Sequence, residues 1–193
     1  MRCKMARRVY FCFHFQDVVD FRANVVRNHK LTKDDNAGYF DASIWEDAKK
    51  TSDLAVKRLI NGALENTSVT CVLVGTHTFE RRWVDYEIMK SLNKGNDIFA
   101  IHINGIKGKD EKTKNNGNNP LYYLGYSFDK TGEHLSLHNY IQSEWVDYED
   151  LTGWTVNQVA EKGRNKIIRL STIYPIYDWV KDDGYNNFAK WVD

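Results

Sequence analysis

Residues 78 to 91 read TFERRWVDYEIMKS and place Trp83 four positions before Glu87. In a helix that spacing puts both side chains on one face. Together they offer one wall of a ligand pocket: a flat apolar surface and a carboxylate held partly away from water. The same spacing also suits a tryptophan in the core and a solvated glutamate, so spacing alone leaves both readings open. Arg81 and Arg82 stand at the helix start, where the helix dipole favours acidic residues. They read as contacts to a phosphate or a partner, or as plain surface charge. In an open parallel α/β sheet, ligands gather at the carboxyl ends of strands. That rule singles out His14, Phe15 and Gln16 after the first apolar run, the polar segment 30–43 with Asp41, and the stretch after Gly75.

Those side chains need strands and helices to position them. RRVYFCFHF (7–15) is almost continuously apolar, rich in aromatic and β-branched residues, and reads as a strand buried on both faces. An amphipathic helix is expected from near Asp17, with Val18, Phe21 and Val25 on its apolar stripe. Residues 30–43 read as a loop. A second helix is expected over 51–68, with Thr51 or Ser52 as its N-cap and Leu54, Leu59, Ala63 and Leu64 on one stripe. SVTCVLVG (68–75) and NDIFAIHIN (96–104) are two further buried strands, with the Trp83–Glu87 helix between them. This alternation predicts an α/β fold with a central parallel sheet flanked by helices.

Beyond residue 104 the character changes. GIKGKDEKTKNNGNNP reads as a mobile surface loop. The alternating residues either side of Asp129–Gly132 predict a β-hairpin with Gly132 at positive φ. Tyr185, Phe188 and Val192 share a helical face, so a docked C-terminal helix is expected. The chain divides into a core over 5–104 and an extension over 105–193, packed together as one globular unit.

The 193 residues carry 27 basic and 26 acidic side chains, a balance that points to neither nucleic acid nor a membrane surface. No apolar run is long enough for a membrane-spanning helix. Three cysteines without CxxC spacing argue against a disulfide framework and fit a reducing cytoplasm. The dinucleotide fingerprint GxGxxG, the P-loop and the GxSxG elbow are all missing from the sequence. His134 and His138 fall on one strand of the hairpin, too far apart for a metal pair.

Four stretches taken together, RRVYFCFHFQDVVDFR, FDASIWEDAKKTSD, VTCVLVGTHTFERRWVDYEIMKS and YDWVKDDGYNNFAKWV, resemble the ThsB family, the TIR-like proteins of the Thoeris antiphage defence system. RRWVDYEI also resembles the W-x-x-x-E signature of enzymatic TIR domains. The family start resembles MARRVYF, which implies Met5 as a start and residues 1–4 as additional.

The resemblance implies a flavodoxin-like TIR fold that cleaves NAD between nicotinamide and ribose. The product would be a cyclic ADP-ribose isomer, a diffusible signal for a Thoeris effector of the ThsA type. A phage-derived trigger and homo-oligomerisation would switch the enzyme on. NAD is the substrate, and no further cofactor or metal is implied. Glu87 would be the catalytic carboxylate, with Trp83 beside it, while His14, Phe15 and Asp41 would line the same cleft. The chain departs from the family pattern at Cys12, where a small hydroxyl residue is common, and at Arg81. Because TIR domains also act as non-catalytic adaptors through homotypic assembly, fold alone does not separate enzyme from scaffold. A nucleotide sensor without turnover is a third reading.

Overall fold

The computed structural model describes residues 7–32 and 42–193. The first strand, β1 (Val9–Phe13), is followed by two short helices, α1 (Phe15–Val19) and α2 (Arg22–Arg27). Next come α3 (Ala42–Thr51), α4 (Asp53–Leu64), β2 (Val69–Val74), α5 (Arg82–Lys94) and β3 (Asp97–His102). A second sheet then forms from β4 (Leu124–Phe128), β5 (His134–Ile141), β6 (Glu144–Asp147), β7 (Trp154–Thr155) and β8 (Ile167–Arg169). The chain returns through β9 (Ile176–Asp178) and ends in α6 (Gly184–Val192).

Among the described residues the main sheet runs β1-β2-β3-β9, with every neighbouring pair parallel. Its fourth strand thus comes from beyond residue 104. Side chains alternate across a strand, and here the alternation sorts the core into two layers. Tyr10, Cys12, Val72, Val74 and Ala100 face α4, α5 and the second sheet, packing with Val56, Ile60, Ile88, Leu124 and Leu137. Val9, Phe11, Cys71, Leu73 and Ile101 face α2 and α6, packing with Ala23, Val26, Phe188 and Val192. The expected α/β architecture is present, and a second, antiparallel sheet of order β6-β5-β4-β8, with β7 paired to β5, is added to it.

Several local expectations hold. Ser52 caps α4, accepting a hydrogen bond from the Ala55 amide at 3.2 Å. The β4–β5 hairpin turns through Gly132 at φ 77°, a backbone conformation that a side chain disfavours. α6 docks through Phe188 and Val192, both buried, while Tyr185 is exposed.

Others are corrected. The first helix does not run from Asp17 with Phe21 and Val25 inward. Phe21 adopts a left-handed conformation (φ 64°) and breaks the helix in two; both residues are exposed, and Arg22, Ala23 and Val26 are buried instead. On α4 the buried stripe is Val56, Ile60 and Leu64, and Leu54 is exposed. The segment after residue 104 is anchored rather than mobile. Arg22, 1% exposed, donates through Nε to the Ile106 carbonyl at 3.0 Å and through Nη2 to the Lys112 carbonyl at 2.6 Å. Asn104 holds the Asn115 carbonyl at 2.5 Å. Gly117 lies so close to the carbonyls of Gly75 and Thr76 that a Cβ there would overlap them.

Candidate active site

α5 begins one short 3-10 turn (Thr78–Glu80) after the end of β2, with Arg81 in extended conformation as its N-cap. The helix lies against β1, with Glu87 bonded to Tyr10 of that strand and Trp83 sharing the cleft with Phe13 at its end. Glu87 is 6% exposed, and its Oε1 accepts a hydrogen bond from the Tyr10 hydroxyl at 2.6 Å. The Cys12 thiol lies beneath the same carboxylate, with Sγ 3.9 Å from the Val84 carbonyl.

A cleft of about 270 Å³ opens above this carboxylate. Phe13, His14 and Phe15 from the end of β1 form one side; Arg81, Trp83, Val84 and Glu87 form the other, and Lys49 of α3 approaches from the rim. Four of the five residues that the family resemblance assigned to the cleft (His14, Phe15, Trp83 and Glu87) line it together, while Gln16 lines the neighbouring cavity. Asp41 lies outside the described residues. Phe15 is the first residue of α1 rather than the last of β1, and His14 occupies the N-cap position with no side-chain cap bond, which leaves its ring to the cleft. Sequence reasoning missed Tyr10, Cys12 and Lys49. The first two carried a usable signal, because they alternate with Val9 and Phe11 along β1 and so share the face that α5 covers.

Burial dominates the electrostatics of the cleft. It pushes the Glu87 carboxyl up to about 7, against the opposing hydrogen bonds from Cys12 and Tyr10. Burial and the neighbouring Glu87 charge together hold the Tyr10 phenol and the Cys12 thiol well above their ordinary ranges, so both stay protonated donors. The His14 imidazole is pushed down by burial and then by the Arg81 and Lys49 charges, which favours its neutral form. Arg81 Nε is buried without a hydrogen-bond partner among the described residues. The cleft thus joins a carboxylate that ionises near neutrality, a neutral imidazole, two cations and two aromatic walls.

The two arginines that begin α5 part company. Arg82 turns away from the cleft, donating from Nε and Nη2 to the two Asp150 carboxylate oxygens, each at 2.7 Å, and pairing with Asp53 at 2.7 Å. Its guanidinium stacks over the Trp83 ring, 4.8 Å from the centroid. Arg82 therefore ties α5 to α4 and to the loop after β6, and Asp150 is held down to about 2 chiefly by this contact. Only Arg81 faces a ligand space.

A second cavity, of about 480 Å³, adjoins the cleft through His14. Its walls come from the start of α1, from Thr76 and His77 after β2, and from Thr113 to Asn115. Among the described residues no group of three or more His, Cys, Asp or Glu side chains could hold a metal ion. No helix of the described residues is long and apolar enough to cross a membrane.

Comparison with known proteins agrees with this architecture. The model of the family "Thoeris protein ThsB, TIR-like domain" matches residues 10–108, the span that carries β1 through β3 and the whole cleft. A Bacillus cereus (strain MSX-D12) protein named "Putative cyclic ADP-D-ribose synthase ThsB1" is 58% identical over 192 residues, covering 98% of this chain and 100% of its own length. Identity at that level across both chains, together with a family match over half of the sequence, makes this chain a member of the ThsB family of Thoeris TIR-like proteins.

Proposed function

We propose that the chain cleaves NAD at the nicotinamide–ribose bond and closes the remaining ADP-ribose unit into a cyclic isomer. The observation that carries this reading is the buried Glu87 carboxylate, poised to ionise near neutrality at the base of a cleft walled by Trp83 and Phe15. The name of the Bacillus cereus relative points the same way.

The chemistry suits one carboxylate. Most glycosidases need two, because a poor leaving group must be protonated. Nicotinamide is already cationic in NAD and departs neutral as the C–N bond breaks, so no general acid is needed. Positive charge then develops on the ribose. Ionised Glu87 stabilises it in a setting poor in competing water, where a fixed charge acts strongly. A hydroxyl or nitrogen of the adenosine half attacks the same carbon and loses its proton, giving nicotinamide, a cyclic ADP-ribose isomer and H⁺. An intramolecular nucleophile can reach an effective concentration of about 10⁵ M or more, far above that of bulk water. In this reading the product is a signal for a ThsA-type effector, a phage-derived trigger starts its synthesis, and assembly of several copies raises activity.

The test is incubation of the protein with NAD at high and low protein concentration, with products separated by chromatography and weighed by mass spectrometry. Free nicotinamide and a product one water lighter than ADP-ribose are expected. Linear ADP-ribose as sole product would leave a hydrolase. No nicotinamide release by the assembled protein would favour the adaptor role.

A further inference from the structure

The cleft over Glu87 is too small for the substrate assigned to it. Pockets for drug-sized ligands span roughly 300–1,000 Å³, and a dinucleotide is larger than most such ligands. At about 270 Å³ the cleft holds one end of it. The adjoining cavity of about 480 Å³ shares His14 with the cleft and lies outside the carboxyl ends of β1 and β2, where parallel α/β sheets receive ligands.

Resting on the reading of NAD as substrate, we propose that the dinucleotide lies across both cavities. Its nicotinamide–ribose end sits against Glu87, its phosphates pass Arg81 and His14, and its adenosine end enters the larger cavity walled by Thr113 and Asn115. Arg81 stands at the junction, where its charge bears on the His14 ring, and its buried Nε lacks a hydrogen-bond partner among the described residues. A bound phosphate oxygen would satisfy it with a charge-assisted hydrogen bond.

The larger cavity has the chemistry of a nucleoside site. Hydroxyl, amide and imidazole groups line it, and Asp17 is 5% exposed at its edge. These groups match the donors and acceptors of an adenine edge and a ribose diol. The Lys114 ammonium is engaged with Asp20, which leaves Asp17 and the neutral polar groups to face a ligand. The outer wall is preformed, because Arg22 and Asn104 hold the carbonyls on either side of it and Gly117 is seated on the backbone after β2. A wall that is already ordered adds little entropic cost on binding. The segment after β3 thus contributes half of the substrate site.

ADP, which lacks the nicotinamide end, separates the two halves. Titration of the ¹⁵N-labelled protein with ADP should shift the amide signals of Thr76, His77 and residues 113–115. Thr113→Trp, at an exposed position, fills the cavity without touching the core; it should weaken ADP binding about tenfold or more at unchanged thermal midpoint. Glu87→Gln should bind ADP as the parent does. No shifts at these amides, or equal ADP affinity in Thr113→Trp, would overturn the proposal even if the protein cleaves NAD. ADP bound in this cavity by a protein that releases no nicotinamide would instead remove the enzymatic reading and leave an adenine-nucleotide site.

Discussion

The Tyr10 hydroxyl reaches the Glu87 carboxylate at 2.6 Å across the interface of β1 and α5, with both groups buried. A carboxylate in that position is opposed by burial and supported by its donors. Its ionisation near neutrality is thus a balance that a single hydrogen bond can tip.

Tyr10→Phe removes one donor to the charged form while keeping the ring in the core. A hydrogen bond to a charged group contributes about 1.5–3 kcal/mol, or about 1–2 pH units. The acidic limb of the pH profile for nicotinamide release should move upward by that amount, with activity largely restored in alkali. An unmoved limb would mean that the phenol does not support the reacting carboxylate.

Glu87→Gln keeps the shape and removes the charge. Nicotinamide release should fall by roughly 100 to 1,000-fold. Stability should move the other way. The folded-state value of about 7 lies above the ordinary 4.5, so between those limits the folded chain keeps a proton that the unfolded chain has released. Parental stability therefore falls as pH rises through this window and stays lower above it, by about 3 kcal/mol at most. The Gln variant lacks this loss. Urea midpoints at pH 5 and pH 8 should show the variant gaining on the parent at the higher pH; parallel midpoints would contradict the buried carboxyl.

Trp83 forms a wall of the cleft, held edge-on to Tyr86 at 6.0 Å and beneath the Arg82 guanidinium. Trp83→Ala opens the cleft to water, which then competes with the internal nucleophile. Under the proposed reaction the product ratio should shift toward linear ADP-ribose, as read by mass spectrometry in a variant verified as folded by circular dichroism. A variant that stays folded and active with an unchanged ratio would show that another group excludes water.

Arg22→Met tests the anchor of the segment after β3. The substitution keeps an unbranched side chain in the buried slot but removes the Arg22 donor from the Ile106 carbonyl and leaves the Lys112 carbonyl with the Gly108 amide alone. An unsatisfied buried polar group costs about 1–3 kcal/mol. A lower thermal midpoint is expected, together with faster amide exchange over residues 106–117. Unchanged exchange there would place the anchor elsewhere.

The elements most legible in the sequence were those whose signal is local. Val69–Val74 is buried at every position, and a short run this rich in β-branched and apolar residues has few other fates. Trp83 and Glu87 were legible as a pair because helical spacing fixes their common face. Arg22 was not, since a charged residue is expected outside and, besides nearby Asp20, its acceptors come from a loop that returns some eighty to ninety positions later. Phe21 was misplaced because a left-handed residue breaks a stripe that composition alone supports. The second sheet escaped beyond its hairpin: β6, β7 and β8 are short and partly exposed, with too few residues to show a period. Whether α5 packs its Trp83–Glu87 face on β1 or turns it to solvent is a tertiary fact, and only the fold could show it.

The strand order β1-β2-β3-β9 has a bearing on how the protein is made. The ribosome delivers three strands of the parallel sheet, then the whole antiparallel sheet, and only afterwards the strand that covers β3 and the helix that seals Phe11 and Phe99 through Phe188. Until then the nascent chain shows an unpaired parallel edge and an uncovered apolar face, the surfaces on which partly folded chains associate. A chain stopped between β3 and β9 is thus expected to be a client for chaperones and proteases rather than a smaller enzyme.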